Sequence, residues 1–304
     1  MTSVGIRMRE IAAFRLGRAD RALRSRGGQV LLLAYHNIRP HGTAPAGEYG
    51  LHLSQRDFAR QLEFLARTHH VRSLSDLAAP LPGDRPTVVL TFDDGYRGAL
   101  SAGVEELVRR GMPATFFVPP GCLGDHVFWW DHLAEQSGGV TSAETRRQCL
   151  ETLRGEDDRV RRWARDHGLD GARQLPSWAR TVGTDELAAV AAMPGMTIAS
   201  HSWSHPNLAA LGVEEVAKEL RRAGEWLTAR IPRSLPWVSF PYGKVPADAE
   251  GAGTRAGYRG GVGIGESAAW IRTPQAGGWW VAPRLNVAAG VSLERFALTM
   301  SGAW

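Results

Sequence analysis

Cysteine and lysine are nearly missing: two of each in 304 residues. Cys122 and Cys149 have no CxxC spacing and no partner set, which excludes a zinc finger or a disulfide framework and reads as two free, reduced thiols. Lys218 and Lys244 are the only lysines among 36 basic residues, so the formal charge of +5 is carried almost wholly by arginine, as a GC-rich genome would give. Those arginines are scattered, with short clusters such as Arg159 to Arg165 and no aromatic ladder beside them. No nucleic-acid partner is therefore expected; a mild pull on anionic substrates or membrane surfaces is what the charge implies. No apolar run approaches the roughly 20 residues of a membrane span. Arginines also break every apolar stretch of residues 1–28, which excludes the uninterrupted core of about 7–15 residues in a signal peptide. The expectation is a cytoplasmic protein whose residues 1–28 form a basic amphipathic helix with Ile6, Ile11, Phe14 and Leu23 as apolar positions. That helix either packs on the domain or makes peripheral contact with a membrane.

What is present is an ordinary globular composition, 43% hydrophobic and 22% charged, in an alternating pattern. Gln29 to Ala34 (QVLLLA) and Thr87 to Phe92 (TVVLTF) are continuous apolar runs, as in strands buried on both faces. Between them Ser54 is a credible N-cap for a helix carrying Phe58, Leu62 and Leu65. Ala99, Leu100, Val104, Leu107 and Val108 give the next helix its apolar stripe, Gly111 stops it, and Ala114 to Val118 forms the third strand, completing a βαβ unit. Residues 121–185 break the rhythm and read as a helical insertion. The alternation resumes with a helix at Thr184 to Ala192, a strand at Met196 to Ser200, a helix at Val213 to Arg230, and strands at Trp237 to Phe240, Gly261 to Ile264 and Trp279 to Val281. Alternation over this length predicts an α/β parallel sheet, open or closed, in a single domain over 29–304.

Three segments put polar residues directly after buried strands: Asp93-Asp94, His201, and Pro241-Tyr242-Gly243. In α/β folds the carboxyl ends of the strands form the active-site face. His201 and His205 supply two imidazoles and Asp94 a carboxylate, a common set for a catalytic divalent cation. A helical HExxH site is excluded because position 202 is serine, and Pro206 with the preceding strand argues for a loop. Two adjacent aspartates repel unless a cation lies beside them, and successive side chains at a strand end diverge. One can thus bind metal while the other addresses the attacking water.

Thr91-Phe92-Asp93-Asp94-Gly95 with His201-Ser202-Trp203-Ser204-His205-Pro206 resembles the polysaccharide deacetylases, the carbohydrate esterases of nodulation type, over roughly residues 30–290. In layout the chain looks most like the poly-N-acetylglucosamine deacetylases. The resemblance implies a distorted (β/α) barrel with fewer than eight strands and the helical insertion after its third strand. It implies Asp93 as catalytic base, a metal held by Asp94, His201 and His205 (usually zinc, so Zn2+ is the expected cofactor), and the Tyr242 backbone N–H as oxyanion donor. The implied reaction releases acetate from an N-acetylated sugar or glycan. The family's third motif, Arg-x-Pro-Tyr-Gly, is here Ser239-Phe240-Pro241-Tyr242-Gly243; Arg284 is the candidate to replace the missing arginine, the alternative being a surface arginine. No histidine follows His205, so the family's C-terminal histidine is absent; Tyr35-His36, ending the first strand, resembles the arrangement in the poly-N-acetylglucosamine deacetylases, which implies His36 as general acid. His41 and His52 are less well placed. Trp129, Trp130, Trp203, Pro241 and Tyr242 are candidate sugar contacts, against the commoner role of aromatics as core. An O-acetyl esterase, an amino-sugar deformylase and a non-catalytic carbohydrate-binding protein are the rival readings.

Overall fold

The computed structural model describes residues 17–169, 174–265, 267–272 and 278–302. Its strands are β1 (Val30–Tyr35), β2 (Asn37–Arg39), β3 (His52–Ser54), β4 (His70–Arg72), β5 (Thr87–Phe92), β6 (Ala114–Val118), β7 (Met196–Ser200), β8 (Trp237–Ser239), β9 (Gly260–Ile264) and β10 (Val281–Asn286). The helices are α1 (Arg18–Arg24), α2 (Gln55–Thr68), α3 (Val104–Arg109), α4 (Trp129–Gln136), α5 (Ala143–Arg147), α6 (Asp157–Asp166), α7 (Thr184–Ala191), α8 (Val213–Arg230), α9 (Ala249–Arg255) and α10 (Leu293–Ser301).

Seven strands close a parallel ring in the order β1-β10-β9-β8-β7-β6-β5, sealed by β1 pairing with β5 along its whole length. This is the expected (β/α) barrel with fewer than eight strands. Short β4 adds to the amino-terminal half of β5, on the edge whose carboxyl half pairs with β6. Because side chains alternate along a strand, Val30, Leu32, Val89, Phe117, Ala199, Val262 and Ala282 form one core, while Leu31, Leu33, Val88, Leu90, Phe116 and Ile198 belong to a second that includes the helices. Every residue of β1, β5 and β6 is buried, which is why these strands read as unbroken apolar runs.

The last strand differs from expectation at both boundaries. It runs from Val281 to Asn286 rather than from Trp279 to Val281, passing through Pro283, a residue that reads as a strand breaker. β2, β3 and β4 have three residues each, too few to show a period. Residues 121–185 hold α4, α5, a π-helical turn at Gln148–Thr152, α6 and the start of α7. Of the expected helix over 1–28, α1 is present, with Leu23 buried and packing against α10; Ile6, Ile11 and Phe14 lie outside the described residues. Among the described residues no helix is long and apolar enough to cross a membrane.

One buried group gives the fold an acid sensitivity. His69, at the end of α2, stacks on Trp270 with ring planes 8° apart and centroids 6.0 Å apart. Its Nδ1 pairs with the Thr68 hydroxyl at 2.7 Å. Burial, helped by the charges of Arg85 and His70, pushes this imidazole down from 6.5 to about 3. A depressed histidine pKa means that the unfolded chain binds the extra proton first, so its stabilising effect is complete above pH 6.5 and is lost as pH falls towards 3. Urea unfolding of wild type and His69→Phe is expected to diverge by about 1.4 kcal/mol per pH unit across this window, the wild type losing more. Parallel acid limbs would refute the assignment.

Candidate active site

At the carboxyl end of β5 the ladder continues one residue, with the Asp93 N–H donating to Tyr35 O at 3.0 Å. The chain then turns sharply: Asp94 has φ 73° and Gly95 φ 72°, both left-handed. Glycine suits this second position, where a Cβ would also meet Val118 Cγ1 at 3.2 Å. The turn makes the neighbouring carboxylates diverge, Asp93 towards β10 and Asp94 towards the segment after β7.

Three ligand-type atoms converge on that second side. Asp94 Oδ1 lies 3.1 Å from His205 Nε2 and 3.4 Å from His201 Nε2, and the two ring nitrogens are 3.1 Å apart. Bonds of about 2.0–2.1 Å to a tetrahedral zinc would set its ligand atoms about 3.3 Å apart, so the triangle has the size such a cation needs. Asp94 Oδ2 is buried without a hydrogen-bond partner, another sign of a group made for a cation. His201 Nδ1 lies 2.7 Å from Ser239 O; donation to that carbonyl leaves the Nε2 lone pair facing the triangle. Burial works against a charged His201, but the Asp93 and Asp94 carboxylates outweigh it and raise its pKa. Burial and the His201 charge lower that of His205.

Asp93 is held separately. Arg284, fully buried in β10, donates from one guanidinium nitrogen to Asp93 Oδ1 at 2.8 Å and from the other to Oδ2 at 2.6 Å, a two-pronged pair. It also donates to Ser239 Oγ at 2.7 Å and Thr91 Oγ1 at 3.0 Å, and Ser239 Oγ in turn donates to Asp93 Oδ2 at 3.1 Å. Ser239 stands where the resembled motif has arginine, and the small side chain leaves room for the guanidinium that comes from β10 instead. Burial alone would raise the Asp93 pKa; Arg284 and His201 more than offset it and hold the group ionised. Asp93 Oδ2 is 3.9 Å from His201 Nε2, beside the ligand triangle.

Parallel pairing of Tyr35 with Phe92 brings His36, half-buried at the end of β1, level with Asp93. Burial lowers the His36 pKa, against the pull of Asp94 and Asp93. Tyr242 sits in the turn after β8 with a left-handed φ of 59°. Its hydroxyl accepts from Trp129 Nε1 at 3.1 Å and lies 3.3 Å from His205 O and 3.4 Å from Gly155 O.

The candidate sugar contacts fare differently. Trp130 is 3% exposed, with Phe128 stacked at 4.3 Å and His205 at 5.0 Å, and its N–H donates to Tyr96 Oη at 2.8 Å. No ring face is left for a sugar; the indole is a wall behind His205. Trp129 is 1% exposed and serves Tyr242. Pro241 is buried at the start of its turn. Trp203 is half-buried with the Arg222 guanidinium 3.8 Å above its ring, so that face is taken. Sequence reasoning missed the network behind the wall, in which buried Asp131 accepts from Tyr96 Oη at 2.5 Å and pairs with His52 Nε2 at 2.9 Å. A strand-end motif gives no cue to it, since its members are scattered across three segments.

A family model described as polysaccharide deacetylase matches residues 81–261. Among solved structures, IcaB from Ammonifex degensii is 17% identical with a TM-score of 0.61, the alignment covering 91% of this chain and 98% of that one. The Streptococcus pyogenes deacetylase PplD, solved with acetate, is also 17% identical, with a TM-score of 0.59 and coverage of 90% and 98%. BC0361, a polysaccharide deacetylase from Bacillus cereus, is 14% identical with a TM-score of 0.61, covering 90% of this chain and 69% of that one. These likenesses are of fold. No curated protein sequence matches. The family match spans more than half of the chain and takes in the Asp-Asp turn, both histidines and the Tyr242 turn together, so the protein belongs to the polysaccharide deacetylase family, hydrolases of the amide bond in N-acetylated sugars.

Proposed function

We propose that the chain removes acetyl groups from an N-acetylated amino sugar or glycan at the Asp93–Asp94–His201–His205 cluster. The observation that carries the reading is the division of labour between two adjacent carboxylates: Asp94 faces two imidazole nitrogens, while Asp93 is gripped by Arg284. Asp94, His201 and His205 would hold a divalent cation, with zinc the expected one, which would supply Lewis-acid polarisation of the acetamide carbonyl and of the attacking water. Asp93 accepts a proton from that water, and Arg284 positions Asp93 for it. The Tyr242 N–H donates to the oxyanion of the tetrahedral intermediate, a contact of about 3–4 kcal/mol in comparable sites. His36 delivers a proton to the departing nitrogen, so that amide and water become free amine and acetate.

The test uses the zinc-reconstituted chain with N-acetylglucosamine oligomers, O-acetylated xylan and an N-formyl amino sugar. Acetate from the first is expected, abolished by chelation and restored by Zn2+. Release only from the ester or the formamide would overturn the proposal, as would sugar binding without release.

A further inference from the structure

The two histidines of the triangle are not held alike. His201 is fixed through its own ring by Ser239 O, but His205 Nδ1 is buried with no hydrogen-bond partner. The direction of His205 therefore depends on the rings packed around it and on the backbone that carries it. That backbone is unusual: Ser202 and His205 both have φ 60°, a left-handed conformation that non-glycine residues avoid. A reversal built this way needs an external hold.

We propose that α8 sets the affinity of the cation site by clamping this loop through two side chains one helical turn apart, Glu219 and Arg222. The inference rests on Asp94, His201 and His205 being a cation site. Glu219 Oε2 accepts from the N–H groups of Trp203 at 3.0 Å and Ser204 at 2.9 Å, and its Oε1 accepts from Ser204 Oγ at 2.8 Å. One carboxylate thus collects three donors lying between the two ligands. Arg222 covers the Trp203 ring at 3.8 Å. On the other side Gly121 N–H donates to Trp203 O at 2.8 Å, and a Cβ on Gly121 would come within 2.6 Å of Trp203 Nε1. Trp203 is the part gripped between α8 and the turn after β6. Glu219 and Arg222 are positioning residues that act through the loop.

Zinc affinity of the full chain, measured by chelator competition, tests this. E219A is expected to weaken Zn2+ binding by up to about 10-fold, the lower end of the cost of losing a partner bonded directly to a ligand, because Glu219 acts one step further out. At saturating Zn2+ the KM for an N-acetyl sugar should stay at the wild-type value. E219Q should restore near wild-type affinity, because its amide oxygen still accepts from both N–H groups. R222A, a change on the helix surface that folding tolerates, should weaken binding in the same direction. Unchanged affinity in both E219A and R222A, or E219Q as weak as E219A, would overturn the clamp alone. Wild type that binds no divalent cation would overturn the cation site and the clamp with it.

Discussion

Asp93→Asn is expected to keep its metal and lose turnover by about 10²- to 10⁴-fold, whereas His201→Ala loses both. Asparagine matches aspartate in shape and keeps one oxygen as an acceptor for Arg284, so the pocket survives. What disappears is a carboxylate able to take a proton. His201, by contrast, supplies one corner of the triangle, with Nε2 3.1 Å from that of His205. Bound metal in purified, zinc-loaded protein and acetate release from an N-acetyl oligomer separate the two cases. Equal metal loss in both variants would contradict the split between base and ligand.

Arg284→Met should cost stability as well as activity. It leaves the Asp93 carboxylate buried without its counter-charge, a loss of about 3–5 kcal/mol in comparable pairs. Since Arg284 holds the Asp93 pKa down, its removal moves that pKa up. The acid limb of kcat/KM should then shift to higher pH, because a larger share of Asp93 is protonated at any given pH below neutrality. Denaturant titration of R284M, D93N and the double variant gives a second check. The double variant should be less destabilised than the sum of the singles, since removing both charges leaves no bare one behind. Strict additivity would mean that the buried pair is not coupled.

The barrel and its chemistry were legible to different depths. Strands such as TVVLTF declare themselves because both faces are buried, and the polar residues following them stand out for the same reason. Arg284 could be singled out from the chain alone only because Ser239 left a known arginine position open; that its fork would meet Asp93 follows from β10 and β5 flanking β1 in the closed ring, which no local pattern encodes. The tryptophans were ambiguous, since a sequence cannot say which aromatic rings are already sandwiched. Trp130 has Phe128 on one face and His205 beside it. Glu219 was invisible for another reason: a glutamate on an amphipathic helix looks like any solvated charge until the amides it caps are brought near.

The Tyr242 hydroxyl reaches the main chain of Gly155, in the segment that departs from the strand–helix rhythm, and the Asn207 N–H donates to Arg154 O at 2.8 Å beside it. Gly155, at φ 65°, admits that phenol only because it lacks a side chain: a Cβ there would lie 2.9 Å from the Tyr242 ring. The segment is therefore a buttress rather than an ornament. An engineer who trims it to obtain a minimal enzyme, or exchanges it with a relative's, removes the far post to which the Tyr242 turn is tied and must provide another.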